Sequence, residues 1–293
     1  MNISILIPNH NDLRMKEMID SIDVWRSEKH EIELLIVLNK PTKELLDQVH
    51  SIKMKYSSKF IINVINVGQC NLGLIYNYGI KAALYDNILF IDSDLICGKN
   101  AIQKIMDIAE RDVDVIKAKV IYEKMNHFVE KARQINTTYS LIPYIPVIML
   151  KRSSLRKLKM DYLFAVDTVW CSDAEFGKRI LDDGLSVKYT DAAFYHSYIG
   201  IKKDLKDAIL YGLGKGIRIK RTHEKINCIR ELSEMYAKGK QYNLSIFENM
   251  YSLIWIILQQ VFCRIQIVLP VLFKDSLPFE ESMKIKEVLD EKL

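Results

Sequence analysis

Asn87-Ile-Leu-Phe-Ile91 runs straight into Asp92-Ser93-Asp94. The apolar run reads as a buried strand, and two carboxylates one residue apart follow at its carboxyl end. Similar units precede it. Ile3–Ile7 reads as a strand stopped by Pro8, with a helix over 12–27. Glu33–Leu38 is a second strand, with a helix over 42–56, and Phe60–Val67 a third, with a helix over 73–85. A helix over 99–111 and a strand from Val113 to Ile121 come after. This alternation predicts an α/β fold, a mostly parallel sheet flanked by helices. Ligands of such sheets sit at the carboxyl ends of the strands, so the residues after Ile7, Leu38, Val67 and Ile91 are where chemistry is expected.

Composition narrows the class. The chain has 293 residues, 49% hydrophobic and 27% charged, which excludes a disordered tail, a collagen-like fibre and a disulfide-stapled mini-protein. Lys and Arg number 42 against 37 acids, and a net charge of +5 is too small an excess for a nucleic-acid binder. The five cysteines, Cys70, Cys97, Cys171, Cys228 and Cys263, lack metal-ligand spacing. They are expected to be reduced and mostly buried in a cytoplasmic protein without a signal peptide.

Beyond the first 120 residues the pattern loosens. Val147–Leu150 is strand-like, Lys151–Ser154 suits a helix cap, 173–182 is helical and Ser186–Tyr189 strand-like. The chain reads as largely helical from about 202. Segment 244–273 carries only two formal charges, Glu248 and Arg264. Gln259, Gln260, Arg264 and Gln266 argue against a membrane span, and Pro270 ends the run. A buried helix pair, an in-plane membrane contact and an oligomer interface stay open.

Three features can carry chemistry. Asp92 and Asp94 suit a hard divalent cation facing a diphosphate, although such a pair also occurs in ordinary turns. Cys171-Ser-Asp-Ala-Glu-Phe176 puts Asp173 and Glu175 at a helix start, where they either offset the helix dipole or take a proton from a hydroxyl. His196 closes the run Ala192-Ala-Phe-Tyr-His and gains interest only beside a metal site. In addition, 202–225 holds eight Lys or Arg against three acids, either a solvated helix face or a diphosphate clamp. Its Tyr211-Gly-Leu-Gly-Lys-Gly216 does not match a phosphate-binding loop.

Together these residues resemble a GT-A fold glycosyltransferase of family 2. Ile5–Asn11 resembles the family's opening strand and turn, and Asn71-Leu-Gly73 with Asn77-Tyr-Gly-Ile80 its glycine-containing segments. Ile88–Asp94 matches its metal-binding strand end, Val147–Ser153 its later strand and Ser172–Phe176 its acid motif. The likeness covers roughly 1–225, with the motifs in the family's order. It implies a Rossmann-like GT-A domain over 1–200, with a nucleotide half (1–97) and an acceptor half (98–200), and a helical C-terminal extension over 201–293.

The activity so implied is that of a metal-dependent, inverting hexosyltransferase. It would move sugar from a nucleotide-diphospho-sugar, a UDP-sugar first among them, to a glycan or lipid-linked acceptor in bacterial surface-polysaccharide synthesis. Asp94, Asp92 and His196 would hold Mn²⁺ or Mg²⁺. Asp173 would be the base, with Glu175 the second candidate. Pro8, Asn11, Asn39, Asn71, Asn77, Asp92 and Ser93 would form the nucleotide-sugar site, with Lys215 and Arg218 on the diphosphate. No nucleic-acid partner is implied. The enzyme would be cytoplasmic, with a peripheral seat on the inner membrane face or a homo-oligomer through 244–273 left open. Three positions depart from the family pattern: Asn39 replaces an Asp that contacts the base, Tyr76 an Arg and Ser172 an acid. A nucleotidyltransferase and a catalytically silent binding or assembly subunit are the alternatives. The first would want a basic glycine-rich loop after the first strand, and Pro8-Asn-His-Asn11 lacks one.

Overall fold

The computed structural model describes residues 1–25, 30–68, 71–122, 128–137, 142–168, 170–197, 200–270 and 277–289. Cys70 falls outside them. The described strands are β1 (Ile3–Asn9), β2 (Ile32–Asn39), β3 (Ile61–Val67), β4 (Asn87–Phe90), β5 (Leu95–Cys97), β6 (Val115–Tyr122), β7 (Ile148–Lys151) and β8 (Val187–His196). They form one sheet in the order β3-β2-β1-β4-β7-β6-β8-β5. The β3-β2-β1-β4 half is parallel throughout. Beyond β4, only β6–β8 is parallel, while β4–β7, β6–β7 and β5–β8 are antiparallel. The expected α/β fold is therefore present, parallel in its first half and mixed in its second.

The alternation of side chains along β1 sets the layers. Ile3, Ile5 and Ile7 pack with Met15, Ile19 and Ile22 of α1 (Met15–Trp25). Leu6 points to the other face, toward Ile75 and Ile80 of α3 (Leu72–Ala82). α2 (Lys43–Tyr56) shares the α1 face, with Leu45, Val49 and Ile52 in the same core, and its N-cap Thr42 accepts from the Leu45 amide. Pro8 does not stop β1, which continues to Asn9. The Leu6 carbonyl accepts from Ile91, so Leu6 and, two residues on, Pro8 turn their peptide edges toward β4. Because β4 has ended by then, the missing Pro8 amide leaves no partner unsatisfied.

α4 (Ala101–Ala109) and α6 (Ser172–Asp182) lie where expected. Two elements were not foreseen, and a third is longer than expected. β5 is only three residues long, α5 (Phe128–Thr137) falls within a stretch that reads as loop, and β8 runs seven residues past Tyr189 to His196. Lys151–Ser154 leads into a short 3₁₀ turn over Arg152–Lys157.

The C-terminal part is helical: α7 (Ile201–Thr222), α8 (Cys228–Gln241) and α9 (Ile246–Val268), the last opened by a reciprocal Ser245–Glu248 cap. α7 and α9 touch backbone to backbone. A Cβ on Gly212 would fall 2.4 Å from the Gln259 carbonyl oxygen, and one on Gly216 2.7 Å from that of Cys263. Gly212 and Gly216 thus make a helix seam, a use of these glycines that the sequence did not suggest. Residues 277–289 pack back against the sheet, where Ile285 and Val288 join the core around Leu6 and Ile80 and the Leu163 amide donates to the Met283 carbonyl.

α9 is long and apolar enough to cross a membrane by length and composition alone, and 39% of its most apolar window is buried. Its inner face carries Tyr251, Trp255 and Cys263, and its outer face exposes Phe247, Met250, Ile254, Ile257 and Val261. A buried helix pair therefore describes one side of segment 244–273. The described cysteines are free: Cys97, Cys171 and Cys263 are buried and Cys228 is partly so.

Candidate active site

The carboxyl ends of β1, β2 and β4 open into one cavity of about 310 Å³. Pro8, Asn39, Asp92, Ser93, Asp94, Asp173 and His196 all line it. β4 delivers the two aspartates, β8 delivers His196, and the first turn of α6 delivers Asp173. Antiparallel pairing of β5 with β8 sets Leu95 opposite His196, which brings that histidine beside Asp94. His196 Nε2 lies 3.3 Å from Asp94 Oδ2. Its Nδ1 is 2.7 Å from the Ser197 carbonyl, an acceptor only, so Nδ1 carries the proton.

Charge at this site is negative and poorly solvated. Burial, with the neighbouring Asp94 and Asp173 carboxylates, pushes Asp92 up to about 8. Burial also raises Asp173 to about 6, opposed by backbone amides and by Lys117. Lys117 is buried in the middle of β6, where desolvation drives it down to about 7 against the pull of Asp173 and Asp92. Its ammonium donates to the carbonyls of Tyr144 and Pro146 at 2.9 and 2.5 Å. Arg14 adds a second cation, held by Asp12 and reaching Asp94 Oδ2 at 3.2 Å.

Asn39 is only 3% exposed, and its Oδ1 has no hydrogen-bond partner. A buried acceptor of this kind facing a cavity is a position a ligand donor can satisfy.

Other expected site residues are used elsewhere. Asn71 caps α3, accepting from Leu74 and donating to the Val166 carbonyl. Asn77 exchanges two hydrogen bonds with the Phe164 backbone. Asn11, at φ 57°, links to Thr42 and Lys40 outside the cavity lining. Glu175 is buried away from the cavity, accepting from Tyr162 at 2.6 Å and paired with Arg179 at 2.9 Å. Neither Lys215 nor Arg218 lines the cavity, because Lys215 is bound by Glu231 and Arg218 by Glu224. Lys203 is the lysine of α7 that reaches it.

The sequence reading missed Arg14, Lys117 and Lys203. Lys117 did leave a signal, a lysine inside the apolar run Val115-Ile-Lys-Ala-Lys-Val-Ile121, on the face opposite its neighbours. Arg14 and Lys203 reach the site only through tertiary folding.

The donor set suits a divalent cation. Among the described residues no three His, Cys, Asp or Glu side chains converge as a metal cage. Magnesium-like ions at phosphate sites, however, take one or two protein ligands and complete their shell from phosphate and water. His196, with Nδ1 held at the Ser197 carbonyl, presents Nε2 to the cavity 3.3 Å from Asp94 Oδ2, a nitrogen and an oxygen that can serve one cation.

A family model described as Glycosyl transferase family 2 matches residues 4–168, more than half of the chain. A poly(ribitol-phosphate) beta-glucosyltransferase of Bacillus spizizenii is 36% identical over 105 residues, which cover 35% of this chain and 16% of that enzyme. The chain thus matches only about a sixth of the relative's length. A mannosyltransferase of Pyrobaculum calidifontis, solved with GDP-Man and Mn²⁺, superposes with a TM-score of 0.64 at 10% identity, covering 91% of this chain and 87% of that one. S. aureus TarS 1-349 with UDP-GlcNAc superposes at 0.54 and 16% identity, covering 88% and 81%. These two likenesses concern the fold, a GT-A arrangement.

Proposed function

Because the chain belongs to glycosyl transferase family 2, we propose that it moves a sugar from a nucleotide-diphospho-sugar to a hydroxyl of a glycan or lipid-linked acceptor in cell-surface polysaccharide synthesis. The observation that carries this reading is the meeting of Asp92, Asp94, His196 and Asp173 on one cavity at the strand ends. A silent assembly subunit would have no use for four such groups in one site.

Asp173 Oδ takes the acceptor proton as the acceptor oxygen attacks the anomeric carbon. The bond from that carbon to the diphosphate breaks, the diphosphate leaves with the electron pair, and the configuration inverts. A carboxyl poised at about 6 is ionised at neutral pH yet basic enough to accept that proton. A divalent cation, Mn²⁺ or Mg²⁺, would be held by Asp94 and His196, with Asp92 lining the same cavity beside them, and would neutralise charge on the leaving diphosphate. Arg14 stands where it can add to that neutralisation.

Pro8 and Asn39 line the nucleotide end of the cavity. A nucleobase N–H, such as uracil N3–H, is a donor of the kind that the Asn39 Oδ1 lacks, which supports a nucleotide-sugar at this end. Related folds were solved with UDP, with UDP-GlcNAc and with GDP-Man. The outer apolar face of α9, with Lys240 and Arg264 exposed nearby, supports a peripheral seat on the cytoplasmic membrane face, where a lipid-linked acceptor would be met.

Calorimetric titration of UDP-, GDP- and ADP-sugars, with and without Mn²⁺, tests the proposal. Mn²⁺-dependent binding of a UDP-sugar is expected. Absence of binding by every nucleotide sugar would overturn it.

A further inference from the structure

Arg14 lies in the turn between β1 and α1, and its guanidinium ties three distant parts of the chain together. Asp12 holds it by a fork, accepting from Nε at 2.9 Å and from Nη2 at 2.5 Å. Asn9, buried at the end of β1, fixes that turn through two hydrogen bonds with the Asp12 backbone. Nη1 donates to Ser197 Oγ, just past β8, at 2.6 Å, and Nη2 to Asp94 Oδ2, just past β4, at 3.2 Å. These bonds use four of the five N–H donors of a guanidinium, and the fifth, on Nη1, has no acceptor among the described residues. Asp12 and Asp94 both line the cavity, so the guanidinium is anchored at its edge.

Asp94 Oδ2 is claimed twice. His196 Nε2 stands 3.3 Å from it and Arg14 Nη2 3.2 Å. A divalent cation held by Asp94 and His196 would bring two more positive charges to an oxygen that already serves one guanidinium, and like charges this close repel. The Asp94 contact is the longest of the four that the guanidinium makes, whereas the Asp12 fork is bidentate and charge-assisted, the stronger kind. Released from Asp94, Arg14 stays tethered beside the cavity, where a diphosphate is an acceptor that the guanidinium fork suits. We propose that Arg14 couples the two components of the donor complex: it competes with the cation for Asp94 and exchanges that contact for the diphosphate, so that cation and nucleotide each tighten the other's binding. The inference rests on the glycosyl-transfer reading, in which Asp94 and His196 hold the cation. A diphosphate that touches the cation directly adds coupling of its own, so the signature of Arg14 is the affinity for the cation without nucleotide.

Electron paramagnetic resonance, which reads free Mn²⁺, gives the Mn²⁺ affinity of the full chain with and without UDP, and calorimetry gives the UDP affinity. Coupling factors between sites span ~5–150-fold, so in Arg14→Met Mn²⁺ alone should bind about fivefold or more tightly than in the unmodified chain. UDP should bind that variant more weakly, and the factor by which UDP tightens Mn²⁺ should fall. Ser197→Ala, which frees Nη1 and leaves the Ser197 carbonyl on His196, should shift Mn²⁺ alone in the same direction by less, with UDP affinity kept. If Arg14→Met does not fold, the sign of that shift decides. A residue that only props the turn would weaken Mn²⁺ binding when removed, because Asp94 would lose its place. The inference is overturned if Mn²⁺ alone binds the variants equally or less tightly, or if the UDP factor in Arg14→Met is unchanged. Binding of neither Mn²⁺ nor UDP by the unmodified chain overturns the glycosyl-transfer reading, and this inference with it.

Discussion

His196 Nε2 stands 3.3 Å from Asp94 Oδ2, the same carboxylate oxygen that Arg14 reaches at 3.2 Å. A ring nitrogen and a carboxylate oxygen at that distance are joined by a proton on the nitrogen or by a cation that both coordinate. The pair joins residues 102 positions apart in the chain and locates where positive charge is wanted. Asp94→Ala should therefore lose Mn²⁺-dependent UDP binding in calorimetry while keeping its far-UV circular dichroism. Mn²⁺-dependent binding at the affinity of the unmodified protein in that variant would remove the metal assignment.

Asp173→Asn should keep donor affinity and lose turnover by ~10²–10⁴-fold, the usual range for a missing general base. In the unmodified protein kcat should rise with pH through about 6, because burial holds the carboxyl protonated below that value. The Lys117 ammonium lowers this carboxyl electrostatically, so Lys117→Met should move the midpoint upward. A steady-state pH profile checks both expectations.

Asp114 anchors the far end of the sheet. Burial alone would raise its carboxyl, but hydrogen bonds from Lys157, Ser154 and Ser186 outweigh that and hold it down at about 2. A carboxyl lowered in the folded state gives stability above its unfolded value of ~3.9, lost as pH falls toward the folded one. Denaturant melts should thus weaken between about pH 5 and pH 2, with Asp114→Asn flattening that slope and costing about 1–3 kcal/mol at pH 7.

Gly212→Val should destabilise the protein. Replacing a helical glycine normally gains up to ~1 kcal/mol of propensity. Here the new Cβ meets the Gln259 carbonyl oxygen at 2.4 Å, and overpacking of that kind costs ~1–3 kcal/mol. Thermal unfolding should show a fall of several degrees, and an unchanged or higher midpoint would contradict the seam.

The outer α9 face predicts salt-sensitive binding to anionic vesicles, stronger than to neutral ones. Ile254→Glu with Val261→Glu should weaken co-sedimentation, since both side chains are exposed on that face. If the unmodified chain ignores vesicles of either kind, the peripheral seat is wrong.

Most of the parallel half was readable, because β1, β2 and β4 are buried on both faces and appear as continuous apolar runs. The same clarity made Asp92 and Asp94 conspicuous, since a strand end needs no tertiary information to be located. Legibility failed where tertiary pairing does the work. β5 has three residues and exists because β8 lies beside it. β8 itself mixes exposed and buried positions, which hides a ten-residue strand. Lys215 and Arg218 advertise phosphate binding by composition, yet Glu231 and Glu224 hold them elsewhere.

The pairing of β5 with β8 also orders events during synthesis. β5 directly follows Asp92-Ser-Asp94, and its one strand partner begins 90 residues downstream of Cys97, at Val187. At ~5–20 residues per second, a ribosome takes about 5–20 s to make that interval. The parallel strands β1 to β4 are all complete before it starts. A nascent chain thus holds most of its nucleotide half while the loop bearing Asp94 still waits for its clasp. The clasp that sets Leu95 against His196 therefore closes late, only after the last residue of β8 has been made.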